Sequence, residues 1–140
     1  MRISTKGRYA LRLMTDIAVH GQDGLVSLKD AAARQGISVK YLEQIAGILS
    51  RAGLLHSSRG AQGGYRLTRA PEDYPLGDIL RLTEGDLAPV ACLEGGENCC
   101  ARCDTCATLD FWTGLYAAVQ QYVDQYTLAD LVRTQREKEK

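Results

Sequence analysis

The sequence predicts a mainly α-helical fold, interrupted by one two-stranded hairpin and followed by a long amphipathic helix. Three observations carry that expectation. Apolar residues recur at spacings of three and four through most of the chain. Serines stand just before three of those runs and glycines close the first two, the punctuation of helix ends. Residues 53–68 break the pattern, with two short β-type runs flanking the glycine-rich stretch Arg59-Gly60-Ala61-Gln62-Gly63.

Taken in order, Ser4 opens a first helix whose apolar positions Ala10, Leu13, Met14, Ile17 and Ala18 form one buried stripe. Gly21 and Gly24 close it. Ser27, with Asp30 three residues on, caps a short second helix that stops at Gly36. Ser38 caps a third helix reaching about Ala52, with Leu42, Ile45, Ala46 and Leu49 inward and Lys40, Tyr41, Glu43, Gln44 and Gly47 outward. A short helix, a tight glycine turn and a longer helix with a polar N-terminal surface make a helix-turn-helix. The hairpin that follows, with strands in 53–58 and 64–68, then reads as a wing. A phosphate-binding loop is the competing reading of its glycines, but no Gly-Lys-Ser/Thr and no helix follow. Pro71–Tyr74 is a connector and Leu76–Glu84 a fourth helix ended by Gly85.

Beyond residue 108, Leu109, Trp112, Tyr116, Val119, Val123 and Tyr126 repeat at threes and fours, a seam of nearly three heptads. The winged fold looks complete before this helix, so it is assigned to dimerisation rather than to packing on its own domain. Thr127 caps a short helix to Val132, and 133–140 reads as a frayed, disordered tail. The divisions are thus a winged helix-turn-helix domain at 1–85, a loop at 86–108, the dimerisation and short C-terminal helices at 109–132, and the tail.

Charge separates the halves of this 140-residue chain. Residues 1–70 carry eleven basic against four acidic side chains, and residues 71–140 carry six against thirteen. A neutral total therefore hides a basic half suited to a polyanion and an acidic half that repels one. No apolar run long enough for a signal peptide or for a membrane span of about 20 residues occurs. The expectation is a cytoplasmic protein with reduced thiols and no membrane partner.

All five cysteines lie between Cys92 and Cys106, in a loop rich in Gly, Glu and Asn. An odd count in a reducing compartment points to metal or redox chemistry rather than a structural disulfide framework. Cys100-x-x-Cys103-x-x-Cys106 resembles a ferredoxin fragment but lacks the fourth cysteine and proline. A thiol oxidoreductase would need a βαβ context that is missing. Enzyme and small electron carrier are therefore the weaker readings, while four cysteines suffice for tetrahedral zinc.

Several segments together resemble a known family: Ile3–Ala10, the third-helix run Ile37-Ser38-Val39-Lys40-Tyr41-Leu42-Glu43-Gln44-Ile45, the wing Arg59–Leu67, Leu76-Gly77-Asp78-Ile79 and Glu84-Gly85. They are similar to the Rrf2 family of bacterial winged helix-turn-helix repressors, over residues 1–130. The resemblance implies a homodimer on a pseudo-palindromic double-stranded DNA operator, gripped by two recognition helices and two wings. For members with cysteines it also implies an iron–sulphur cluster, 2Fe–2S or 4Fe–4S, in the loop before the dimer helix, held by three cysteines and one other ligand. Cys92, Cys100 and Cys106 fit that spacing best, with Cys99 the alternative for the middle place. No histidine follows Cys106, so Cys103, Asp104 or a residue of the partner's first helix is left as the fourth ligand. A thiol/disulfide switch, zinc or no ligand at all are the alternatives.

With the third helix in a major groove, Gln44 can pair with adenine and Glu43 can accept from cytosine. Ser38, Lys40 and Tyr41 are then phosphate contacts. Arg59 is assigned to a narrow minor groove, and Arg2, Lys6, Arg8 and Arg66 to the DNA backbone.

Overall fold

In the computed structural model, residues 1–96 and 100–140 are described. Six α-helices occur among them: α1 Thr5–His20, α2 Leu28–Gln35, α3 Val39–Arg51, α4 Leu76–Glu84, α5 Leu109–Gln125 and α6 Leu128–Lys138. One antiparallel pair, β1 Leu55–Ser58 and β2 Gly64–Leu67, is the wing, in the register Leu55↔Leu67 to Ser58↔Gly64. The mainly helical winged helix-turn-helix read from the sequence is the fold observed.

Local chemistry explains the helix starts. Ser4, Ser27 and Ser38 each accept the backbone N–H three residues on, at 3.4, 3.1 and 3.1 Å, a cap worth about 1 kcal/mol. The α2–α3 turn depends on Gly36, whose φ of 65° lies in the left-handed region that a side chain disfavours. Gly64 is required for another reason. A Cβ there would stand 2.5 Å from the Val26 carbonyl oxygen, because Val26 and Tyr65 exchange two backbone hydrogen bonds at 2.9 and 2.8 Å. That exchange ties the wing to the start of the helix-turn-helix.

The core gathers Leu13, Met14 and Ile17 of α1, Leu42, Ile45 and Leu49 of α3, Ile79 of α4 and Tyr74. Buried Tyr74 anchors the wing's base. Its hydroxyl donates to the Leu54 carbonyl at 2.9 Å and accepts the Thr68 N–H at 2.8 Å.

Two expectations are corrected at the C-terminus. The winged domain is not complete before α5, because Leu128 and Val132 of α6 are buried in the same core, against α1. Nor does the last helix stop at Val132 before a frayed tail. It continues to Lys138, since Asp130 receives the Thr127 N–H at 2.8 Å and pairs with Arg133 at 2.6 Å. Arg136 and Lys138 also stand at the negative end of the helix dipole. Among the described residues no helix is long and apolar enough to cross a membrane.

Candidate nucleic-acid interface and cysteine loop

The outward surface of α3 carries Lys40, Glu43 and Gln44, all exposed, beside the exposed cap Ser38. The Ser38 oxygen is engaged by the Tyr41 N–H, which leaves its O–H free to donate. Tyr41 is half-buried, with its ring edge-on to Tyr9 at 5.7 Å, so it is a packing residue as well as a candidate contact. A shallow cleft lined by Thr5, Tyr9, Ser38 and Tyr41 brings the first turns of α1 and α3 together. Lys6 is exposed on that first turn of α1.

On the wing, Arg59 is exposed at the tip, and Arg66 is exposed across from His56. Arg2 and Arg8 are not brought to the α3 surface. Arg2 lines a cleft with Glu84, Asp86 and Glu94. Arg8 lines a cavity of about 650 Å³ between α1, the end of α2 and α6.

Beside the shared apolar core, a polar network that sequence reasoning missed joins the end of α2 to α1. Asp16 is 3% exposed. Its carboxylate accepts from Arg34 Nε and Nη2 at 3.0 and 2.7 Å and from Gln35 Nε2 at 3.0 Å. Arg12 adds a hydrogen bond to the Gln35 side chain at 3.0 Å, another to its carbonyl, and a cation–π contact over Tyr9. The available signal was an acid three residues from Leu13 on the buried side of α1, a position that demands a partner.

The cysteine loop is organised by Asp86. Its carboxylate accepts the Ala88 and Gly95 N–H groups at 2.7 and 2.9 Å and the Tyr116 hydroxyl at 2.9 Å. Those three donors, the Gly95 amide foremost, hold the Asp86 carboxyl below the usual carboxylate range. Partial burial, with Asp86 beside it, pushes the Tyr116 phenol up. A carboxylate depressed in the folded state stabilises it above the unfolded-state pKa, and that contribution disappears as pH falls through the folded-state value. The Ala88 and Gly95 amides should therefore lose hydrogen-exchange protection only once the pH falls below the ordinary carboxylate range, and Asp86→Asn should abolish that pH step. Protection factors measured by NMR across the acid range check it; a step persisting in the variant would assign it elsewhere.

Two residues before Asp86, Glu84 closes a second junction. Its Oε1 accepts from Ser4 Oγ at 2.5 Å and from the Ser4 and Gly7 N–H groups at 3.2 and 3.1 Å, placing an anion at the positive end of α1. The segment Glu84-Gly85-Asp86 thus touches the start of α1, the cysteine loop and α5. Near the far end of α5, Arg81 grips Asp124 with two bonds of 2.8 and 2.7 Å.

Among the loop's thiols, Cys92 and Cys103 are half-buried, and Cys100 and Cys106 are exposed. Cys99 lies outside the described residues. Cys103 donates to the carboxylate of Asp104, the other alternate ligand, at 3.7 Å. Cys106 is acidified by the Thr108 hydroxyl, 3.3 Å away, and then by the Thr108 and Leu109 amides and Arg102. Among the described residues no three Cys, His, Asp or Glu side chains converge as a metal site, so the trio Cys92, Cys100 and Cys106 is not brought together. The donor set nevertheless suits a cluster: several thiols within one short loop, at least one of them biased toward thiolate.

The α5 seam divides in two. Leu109, Trp112, Tyr116, Val119 and Val123 are half-buried in the chain itself, with Tyr116 bonded to Asp86 and Val123 packed over Gly77. Tyr126 remains exposed. A neighbouring stripe is open as well, with Phe111 and Tyr122 65% and 60% exposed and Leu115 at 36%. The sequence reading did not single out that stripe, because its spacing alone does not separate it from the seam.

A model of the Rrf2 family, described as an iron-dependent transcriptional regulator, matches residues 3–134. The chain is 46% identical over 134 residues to the protein rrf2 of Nitratidesulfovibrio vulgaris strain Hildenborough, spanning 95% of this chain and 88% of that one. It is 41% identical over 131 residues to the HTH-type transcriptional regulator CymR of Bacillus subtilis, spanning 94% and 89%. The solved structure of that protein, described as the global cysteine regulator of B. subtilis, gives a TM-score of 0.80 over 96% of this chain and 98% of that one, at 40% identity. The structure of IscR from T. potens gives 0.79 at 39% identity, over 100% and 92%.

Proposed function

The chain belongs to the Rrf2 family of transcriptional regulators, and on that premise we propose a homodimeric repressor whose operator affinity is set by an iron–sulphur cluster on the Cys92–Cys106 loop. It is a DNA-binding regulator and not an enzyme. The reading has it act in the cytoplasm on a pseudo-palindromic operator, with Glu43 and Gln44 of α3 in the major groove, Lys40 of the same helix on a phosphate and Arg59 at the minor groove. Ser38, Tyr41, Lys6 and Arg66 serve the backbone, while Arg2 and Arg8 sit away from α3 and are the weakest of that set. The second copy docks on α5, through the open Phe111, Leu115, Tyr122 and Tyr126 stripe and the adjoining seam.

One observation carries the coupling: Glu84-Gly85-Asp86 bonds to the N-terminus of α1, to the cysteine loop and to α5. Cys92, Cys100 and Cys106 would hold the cluster, with Cys103, Asp104 or a partner residue as fourth ligand. When bound, it supplies an anchor for the loop that oxidants and small ligands can remove. Asp86 then passes loop order to α5 through Tyr116, while Glu84 holds α1 from the same turn. Such a ligand acts only through different affinities for two geometries of the dimer. Exposed, acidified Cys106 favours a second reading, a thiol switch without a cluster.

Anaerobic purification with a visible spectrum and iron and sulphide assays, on wild type and Cys92→Ala, separates the two. Charge-transfer bands lost in the variant, with different operator affinity for loaded and stripped protein, are the expected result. Colourless protein whose DNA binding depends on oxidant would favour the thiol switch. Equal binding isotherms for loaded and stripped protein would leave the cluster no regulatory part.

A further inference from the structure

We infer that Arg51 is a further base-reading residue of α3, a guanine contact for which Gly47 makes room. This rests on the DNA-binding reading of α3. Glycine is the least favoured residue in a helix interior apart from proline, yet Gly47 stands mid-helix on the outward side. Its backbone has no positive φ that would require glycine. What distinguishes the position is its neighbour: the three atoms nearest to where a Cβ would stand are Nη1, Cζ and Nη2 of Arg51, at 3.1, 3.8 and 3.8 Å. The guanidinium therefore folds back one turn and rests against the bare backbone of Gly47.

Lys40, Gln44, Gly47 and Arg51 follow one another at spacings of four, three and four, so they form a single row along the helix. The row lies opposite buried Leu42, Ile45, Ala46 and Leu49. Arg51 is exposed, and its side chain makes no hydrogen bond or ion pair among the described residues. An arginine on the last turn can also reach a phosphate by extending away from the axis. Folding it back instead carries the fork toward Gln44, onto the surface a major groove would meet. Guanine presents two adjacent acceptors there, O6 and N7, which match a guanidinium and not an ammonium.

Selection from a randomised duplex DNA library, followed by competition anisotropy on the selected duplex and its single-base variants, tests the assignment. Arg51→Ala should lose about tenfold or more in affinity, confined to one G·C pair per half-site, and Arg51→Lys should not restore it. Gly47→Ala should fold at least as stably as wild type, since the flexible guanidinium yields and alanine favours helix, yet weaken preference at the same pair. A merely structural Gly47 would leave that preference untouched. Equal loss on every sequence with a shallower salt dependence would make Arg51 a phosphate contact and overturn the inference. An unchanged preference in Arg51→Ala would also overturn it. Gln44→Ala separates the levels: altered selection there with none in Arg51→Ala sinks this inference alone, whereas no selection by wild type sinks the α3 reading with it.

Discussion

Replacing Asp16 with alanine is expected to cost about 3 kcal/mol of stability and to weaken DNA binding in the protein that still folds. The carboxylate is buried and takes three donors from the end of α2, two from Arg34 and one from Gln35. Removing one member of a buried ionic network costs about 3–5 kcal/mol, most of it from the partner left behind. Here Arg34 keeps a third of its side chain in solvent and can rehydrate, which sets the loss at the lower end. Arg34→Ala should cost more, because it strands a carboxylate whose side chain is 0% exposed. Removing both should be less damaging than the two losses added. Urea unfolding of the three variants measures this cycle. A loss below about 1 kcal/mol for Asp16→Ala would mean that apolar packing alone seats α2 on α1. The effect on DNA follows from position: the network fixes the last two residues of α2, which lead into the turn before α3, although Asp16 itself faces the core.

Leu128→Ala should be comparably damaging, about 2–5 kcal/mol. Leu128 is 0% exposed, and its N–H donates to the Tyr74 carbonyl at 2.9 Å while Leu76 donates to Tyr126 at 2.9 Å. The buried side chain seats α6 on α1, and the two backbone bonds tie the start of α6 and the end of α5 to the segment that opens α4. Glu137→Ala, at an exposed position of the same helix, should change the melting temperature little. If Leu128→Ala melted with wild type, α6 would be an appendage after all. With Tyr116 held by Asp86 and Asp124 held by Arg81, α5 is fastened to the loop at one end and to α4 at the other, the route that the proposed coupling would use.

Helices α1 to α4 were legible because their signals lie within a few residues: a serine cap and a repeat of threes and fours for α1, α2 and α3, and an apolar repeat with a glycine stop for α4. The wing was legible from its glycine tip between two β-type runs, and the outward side of α3 from the places its inward leucines and isoleucine leave open. The seam of α5 was legible only in part. Spacing marks an apolar stripe but not whether its own chain or another covers it, and Tyr116 and Val123 turned out to face their own domain. Arg51 escaped notice because its folded-back position depends on a side-chain rotamer rather than on spacing.

Element order, the helix-turn-helix with its wing, the basic reading half and the confinement of every cysteine to one loop were determined by sequence alone, because capping, periodicity and charge are local properties of a chain. Tertiary structure decided that α6 completes the core and that Glu84 caps α1 from 77 to 80 residues away. It likewise decided that Asp86 ties the loop to α5. Those bonds join residues remote in sequence, and only the burial that brings the segments together makes one particular carboxylate the partner of one particular amide.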